Sequence, residues 1–176
     1  NILVEMRLPD ELPHLGADQH QLTQVFANLL INAYEALEGR GRIVIAATLA
    51  HTAAHGALLP DGHEPVATVI VDVTDDGPGM TRDVAEKIFN PFFTTKAQGS
   101  GLGLAIVRKI VDAHDGRIDM TSRAGAGTKF RVTLPVSGDA RVWDLSFIDH
   151  LRERYCDDLA RFAAVYAGTD EAMRAS

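Results

Sequence analysis

Three clusters of polar residues and glycines punctuate the apolar stretches of this 176-residue chain. Asp75-Asp76-Gly77-Pro78-Gly79-Met80 closes a β-branched run. A carboxylate followed by paired glycines can hold an adenine amino group while leaving the backbone room to approach the base. Further on, Gly99-Ser100-Gly101-Leu102-Gly103-Leu104 opens a helical pattern, offering bare N–H groups and a positive dipole end to phosphates. Upstream, Asn28, Asn32 and Glu35 are spaced four and three apart, on one helical stripe beside an apolar face. Asparagine is a mediocre helix former, and its amide can ligate magnesium or donate to phosphate, so the stripe either lines a cleft or is a solvated edge. Glycine spacings alone are weak signals, because glycine is a common turn residue. The order of the three clusters points to a nucleotide pocket.

The elements that must position these groups follow from periodicity. Residues 2 to 8 alternate like a strand, and the stretch 9 to 16 breaks it. Asp18 is an N-cap candidate, and Leu22, Val25, Phe26, Leu29, Leu30, Ala33 and Leu37 recur at helical spacing up to Gly39. Residues 43 to 49 and 66 to 73 read as strands joined by a long polar loop, 51 to 65. A short helix is expected over 83 to 89 and a longer one over 102 to 114, closed by Gly116. Residues 117 to 121 and 128 to 134 read as a final hairpin. Interleaved without strict β-α-β order, these elements predict an α/β two-layer sandwich, a mixed β-sheet packed on helices.

Composition is that of an ordinary globular domain, with 46% hydrophobic and 23% charged residues. A formal net charge of -7 argues against nucleic acid or an anionic membrane surface as partner, leaving room only for a small, focused polyanion site. The single cysteine, Cys156, has no partner for an internal disulfide. No apolar run approaches the roughly 18 residues of a membrane span, so a cytoplasmic setting is expected, although the parent protein could be a membrane-bound sensor. The abrupt start at Asn1 suggests a fragment of a longer protein.

The residues also carry a family resemblance. Gln24-Val25-Phe26-Ala27-Asn28-Leu29-Leu30-Ile31-Asn32-Ala33 resembles the N box of the histidine kinase ATP-binding domain, whose Bergerat fold is shared with gyrase, Hsp90 and MutL ATPases. Asp75-Asp76-Gly77-Pro78-Gly79 resembles its first glycine box, and Ile88-Phe89-Asn90-Pro91-Phe92-Phe93-Thr94-Thr95-Lys96 its F box, in a wording similar to the nitrogen-regulation type. Gly99-Ser100-Gly101-Leu102-Gly103-Leu104 is similar to the second glycine box. His114-Asp115-Gly116, Ser122 and Gly125-Ala126-Gly127-Thr128-Lys129-Phe130 also follow the family habit. The resemblance covers residues 1–136 as a catalytic domain and leaves 137–176 outside it.

That resemblance implies ATP and Mg2+ as ligands, with a lid between the F box and the second glycine box. Asp75 is implied to accept from the adenine amino group, with Gly77 and Gly79 allowing close approach. Asn32 is implied to ligate magnesium, assisted by Asn28. Gly99, Gly101, Leu102, Gly103 and Leu104 are implied to cradle phosphates, and Lys96 to reach the terminal one. Phe89, Phe92 and Phe93 are expected to anchor the lid to the core, and Thr128 to be a strand residue near the pocket. Two departures matter. The ATPase cousins carry a glutamate general base where Asn28 stands, and an amide cannot accept that proton, so attack by water is expected to be slow. Some histidine kinases carry a lysine where Glu35 stands, which shifts charge neutralisation onto Lys96 and magnesium.

The family's phosphoacceptor motif is absent around His14, His20, His51, His55, His63, His114 and His150. His150 reads as a surface residue, and His51, His55 and His63 as members of a solvated loop rather than metal ligands. The chain is therefore expected to supply the γ-phosphoryl of Mg-ATP to a histidine on a separate dimerisation domain, with a response-regulator receiver downstream. A stand-alone ATPase or protein serine kinase and a nucleotide-binding pseudokinase scaffold are the alternatives. Beyond residue 136, Trp143, Phe147, Leu151, Tyr155, Leu159, Phe162 and Tyr166 describe an amphipathic C-terminal helix. Its stripe is expected to pack on this domain, or else to mediate a homodimer, connect to a following domain or dock a receiver or sensor partner.

Overall fold

The computed structural model describes residues 1–9, 17–52, 66–96 and 99–136. All belong to one compact unit, Asn1–Asp144. Five strands form one mixed sheet: β1 (Ile2–Arg7), β2 (Gly41–Thr52), β3 (Val66–Asp75), β4 (Arg117–Ser122) and β5 (Thr128–Pro135). Their spatial order is β1-β2-β3-β5-β4, with only β1 and β2 parallel. The helices are α1 (Gln19–Ala36), the single turn α2 (Arg82–Ala85) and α3 (Gly103–Ala113). The two-layer mixed α/β architecture expected from the sequence is the one found.

Alternation along the strands builds the core. Ile45, Val73 and Phe130 form one buried cross-strand row, and Ala47, Val71 and Val132 the next. Onto these rows α1 lays Leu22, Val25, Phe26, Leu29 and Leu30, while α3 adds Val107, Ile110 and Val111. Each fully buried side chain of this kind contributes about 1.5–3 kcal/mol, so the helices are held by their apolar faces rather than by intrinsic propensity. The side chain of Asp18 caps α1, accepting from the N–H groups of His20 (2.9 Å) and Gln21 (3.1 Å).

Strand β2 begins earlier than the sequence reading has it, at Gly41, and β3 runs on to Asp75; two further differences have a clear local setting. Strand β2 runs on to Thr52 because β3 supplies backbone partners as far as Val66. The helix expected over 83 to 89 is a single turn, Arg82–Ala85, after which the chain tightens into turns, with Lys87 N–H donating to the Val84 carbonyl (2.9 Å) and Asn90 N–H to that of Lys87 (2.9 Å). The loop residues 53–65, with His55 and His63, lie outside the described residues, as does everything after 136, including His150 and the expected C-terminal helix.

Candidate functional site

The alternation that buries Val69, Val71 and Val73 also delivers Asp75, the next residue of the same parity, to the core side at the end of β3. It stands in the cross-strand row Ile43, Asp75, Thr128, and all three are buried. Oδ1 of Asp75 accepts from the backbone N–H of Gly77 (3.0 Å) and of Thr128 (3.3 Å). Burial raises the Asp75 carboxyl above the ordinary carboxylate range, opposed by those two N–H groups and assisted by the neighbouring Asp76 charge. A carboxylate has further acceptor positions, so a ligand amino group can still be received.

The loop after Asp75 is stitched to the β4–β5 turn. Gly125 N–H donates to the carbonyl of Pro78 (2.7 Å), and Met80 N–H to the hydroxyl of Ser122 (2.8 Å). Ser122 also bonds the Gly127 carbonyl (3.0 Å) and the Thr128 hydroxyl (3.0 Å). The two chains approach so closely that only glycine fits on either side. A Cβ on Gly79 (φ 64°) would overlap the Arg123 carbonyl oxygen, and one on Gly127 (φ 80°) that of Asp75. Ser122 had no assigned role in the sequence; it emerges as the peg that fixes this loop.

Helix α1 is the floor on which the motifs meet. Near its end the carbonyl of Ala36 lies beside Gly77, with 3.4 Å between that oxygen and where a Cβ of Gly77 would be. One turn back, Asn32 Oδ1 accepts from Lys96 Nζ at 3.0 Å. One turn further back, Asn28 Oδ1 lies 3.5 Å from the Cβ position of Gly103, the first residue of α3. From Ala36 to Asn28 is about 12 Å along a helix axis, the scale of an extended nucleoside triphosphate. The start of α3 has Leu102 as N-cap residue, with no capping side chain, so its first-turn N–H groups have no side-chain acceptor from the cap. Gly103 and Leu104 lie in that first turn.

The F box connects these parts. Ile88 is buried, and Phe89 meets Phe130 edge-on at 6.4 Å with Arg108 of α3 over its ring at 5.6 Å. Phe93 is half-buried, whereas Phe92 is 76% exposed, which corrects the expectation that all three phenylalanines anchor the lid. Phe92 holds φ 66° and donates its N–H to the Gly101 carbonyl (2.9 Å). This crossing is so tight that a Cβ on Gly101 would overlap the Phe92 backbone, and it turns the Phe92 side chain outward. Gly99 abuts Thr94, whose hydroxyl accepts from Lys96 N–H at 3.1 Å. Lys96 Nζ also donates to the carboxylate of Glu35.

His114 has a structural role that the sequence did not disclose. Its Nε2 accepts from Asp18 N–H (3.0 Å) while Nδ1 bonds the Ile110 carbonyl (2.8 Å), fastening the end of α3 to the start of α1. Among the described residues no group of three His, Cys, Asp or Glu side chains is placed to hold a metal. Two oxygen acceptors do converge on a cation: the Asn32 amide oxygen and the Glu35 carboxylate both accept from the Lys96 ammonium. An amide oxygen already presented to a cation fits the hard-cation chemistry of magnesium.

A mixed sheet backed by two long helices, a buried carboxylate beside paired glycines and an uncapped glycine-rich helix start define a nucleotide-binding α/β domain. The chain belongs to the histidine kinase-, DNA gyrase B-, and HSP90-like ATPase family, whose profile matches residues 17–138. It is 44% identical over 136 residues to the sensory histidine kinase/phosphatase NtrB of Rhodobacter capsulatus, covering 77% of this chain and 37% of that protein. It is 42% identical over 128 residues to the sensor histidine kinase ZraS of Escherichia coli O157:H7, covering 73% of this chain and 25% of that one. The chain thus spans only about a quarter to two-fifths of these relatives. Among solved structures it resembles the catalytic domain of histidine kinase ThkA, with TM-score 0.61 and 37% identity over 76% of this chain and 78% of that one. It also resembles ThkA in complex with the response regulator TrrA, with TM-score 0.59 and 33% identity over 77% of this chain and 34% of that one. No helix among the described residues is long and apolar enough to cross a membrane.

Proposed function

We propose that this chain is the catalytic domain of a two-component sensor histidine kinase, with residues 1–136 as the working unit. It holds Mg-ATP so that the γ-phosphoryl passes to a histidine on a dimerisation domain elsewhere in the parent protein, and from there to a response-regulator receiver. The observation that carries this reading is the ladder of contacts on α1: Gly77 at Ala36, Lys96 at Asn32 and Gly103 at Asn28, which lines up three motifs along one nucleotide length. Asp75 accepts from the adenine amino group, which favours adenine because guanine presents a carbonyl there. Gly99, Gly101 and the N–H groups of Leu102, Gly103 and Leu104 receive phosphate oxygens at the positive end of α3, and Lys96 takes the terminal phosphate. Asn32, with Asn28, holds magnesium, which neutralises phosphate charge when bound. Thr128 supports Asp75 through its backbone N–H.

Asn28 carries an amide, which has no basic site to take a proton from water, so the site stores rather than hydrolyses the triphosphate. In the transfer, the acceptor imidazole nitrogen forms its bond to phosphorus as the bond to the β–γ bridging oxygen breaks and ADP leaves. This domain contributes positioning and charge, not local base chemistry. The TrrA complex of ThkA and the NtrB and ZraS relatives support the receiver as downstream partner, and a cytoplasmic setting goes with that reading. The test is calorimetric titration with a non-hydrolysable ATP analogue, with and without magnesium, beside Asp75→Asn. Saturable binding that is lost in a folded variant is expected; a folded wild-type chain that binds nothing would leave only a scaffold.

A further inference from the structure

Resting on that nucleotide site, we propose that Glu35 is a competing anion built into its phosphate end. Glu35 holds Lys96 across Asn32 before nucleotide arrives and gives the ammonium up to the terminal phosphates on binding. Nζ of Lys96 donates at once to the Glu35 carboxylate and to Asn32 Oδ1 (3.0 Å), contacts that span 61 and 64 residues of sequence. Two of the three ammonium protons are therefore spent on α1, and the amide oxygen assigned to magnesium is already occupied by a cation. Lys96 keeps one proton and Asn32 Oδ1 one lone pair free, so full engagement of both with Mg-ATP requires this contact to open.

The pair is built to open. The Lys96 and Glu35 side chains are 43% and 44% exposed, so water and salt screen their attraction. A triphosphate carries several negative charges against one carboxylate and wins the lysine. Binding is then an exchange: breaking the Glu35 contact subtracts from affinity, and until it breaks the same contact ties Lys96 to α1.

Glu35→Gln keeps the side-chain shape and a hydrogen-bond acceptor but removes the charge. Titrated without magnesium at low salt, the full chain carrying Glu35→Gln should bind the non-hydrolysable ATP analogue about two- to fivefold more tightly than wild type. High salt should close that gap, and adenosine, which lacks phosphate, should bind both proteins equally. In a Lys96→Ala background the gain from Glu35→Gln should largely vanish. Amide exchange at 93–96 should be faster in unliganded Glu35→Gln, a readout independent of activity. Equal affinity of wild type and Glu35→Gln at both salts overturns the proposal. So does a gain undiminished in Lys96→Ala, which would mean that the carboxylate repels nucleotide directly. Weaker binding of Glu35→Gln confined to magnesium-containing buffer also overturns it, placing Glu35 on the metal instead. In all three cases wild type still binds the analogue, whereas a folded wild type that binds neither analogue nor adenosine defeats the nucleotide site itself.

Discussion

The two ends of the candidate site are built by different physics. At the Asp75 end, the carboxylate lies in a strand row between Ile43 and Thr128, and glycines on both facing loops leave no space for side chains. Moving Asp75 would require moving the sheet. At the Lys96 end, an ammonium is held by two α1 side chains at an exposed surface, and the backbone behind it hangs on a crossing of Phe92 with Gly101. Core packing prebuilds the end proposed to recognise the base, while the end proposed to hold phosphate is assembled from contacts that a ligand can replace. Such a division suits the proposed role of selecting a nucleotide rigidly and then presenting phosphate to a partner.

The contrast can be broken most sharply at Asp75. Asp75→Asn should lower analogue affinity at least about 100-fold, since a charged acceptor is lost and an amide donor can face the adenine donor. Its fold should not suffer. Burial raises the Asp75 pKa in the folded protein, so its contribution to stability is complete below the unfolded carboxylate value and is lost as pH rises through the folded value. At neutral pH the ionised group is a cost, and the asparagine oxygen still receives the N–H groups of Gly77 and Thr128. Urea unfolding at about pH 7 should therefore find Asp75→Asn as stable as wild type or more so, with the gap narrowing toward about pH 4. A clear loss of stability at neutral pH would show that Asp75 is chiefly a structural group.

Next in size, Gly127→Ala should cost about 3 kcal/mol, combining left-handed strain with overlap on the Asp75 carbonyl. Gly125→Ala is its control, with φ 78° and no atom within 4 Å of the added Cβ, and should cost about 1 kcal/mol from strain alone. Equal costs, read from urea midpoints, would deny the rigidity assigned to the base end. Asn32→Ala should leave magnesium-free binding nearly intact and abolish the magnesium enhancement measured by titration. Arg108→Ala, which removes the cation over Phe89, should lower stability by about 0.5–1 kcal/mol. The smallest effect belongs to Lys96→Ala, which should change unfolding stability by less than about 1 kcal/mol while weakening the triphosphate analogue more than adenosine.

Helix α1 and the core strands were legible because burial imposes periods of 3.6 and 2 on their residues, and Asp75 inherited its inward direction from Val71 and Val73. The family resemblance named the same motifs that the structure brings together. What it did not give were the cross-links between motifs distant in sequence. Ser122 pegging Met80, His114 joining α3 to Asp18, and Lys96 closing on Glu35 each depend on where separate elements come to rest. Phe92 was misread for the same reason, because hydrophobicity predicts burial, whereas its crossing with Gly101 turns the ring into solvent.

By itself, then, the amino-acid sequence determined the two-layer fold and the floor helix and pointed to the residues proposed to hold a nucleotide, since apolar periodicity and side-chain chemistry are local properties. Only the tertiary structure decided which of those residues are rigid and which are already engaged. Burial and pairing are set by neighbours that the chain supplies from dozens of positions away, as the 61-residue span between Glu35 and Lys96 demonstrates.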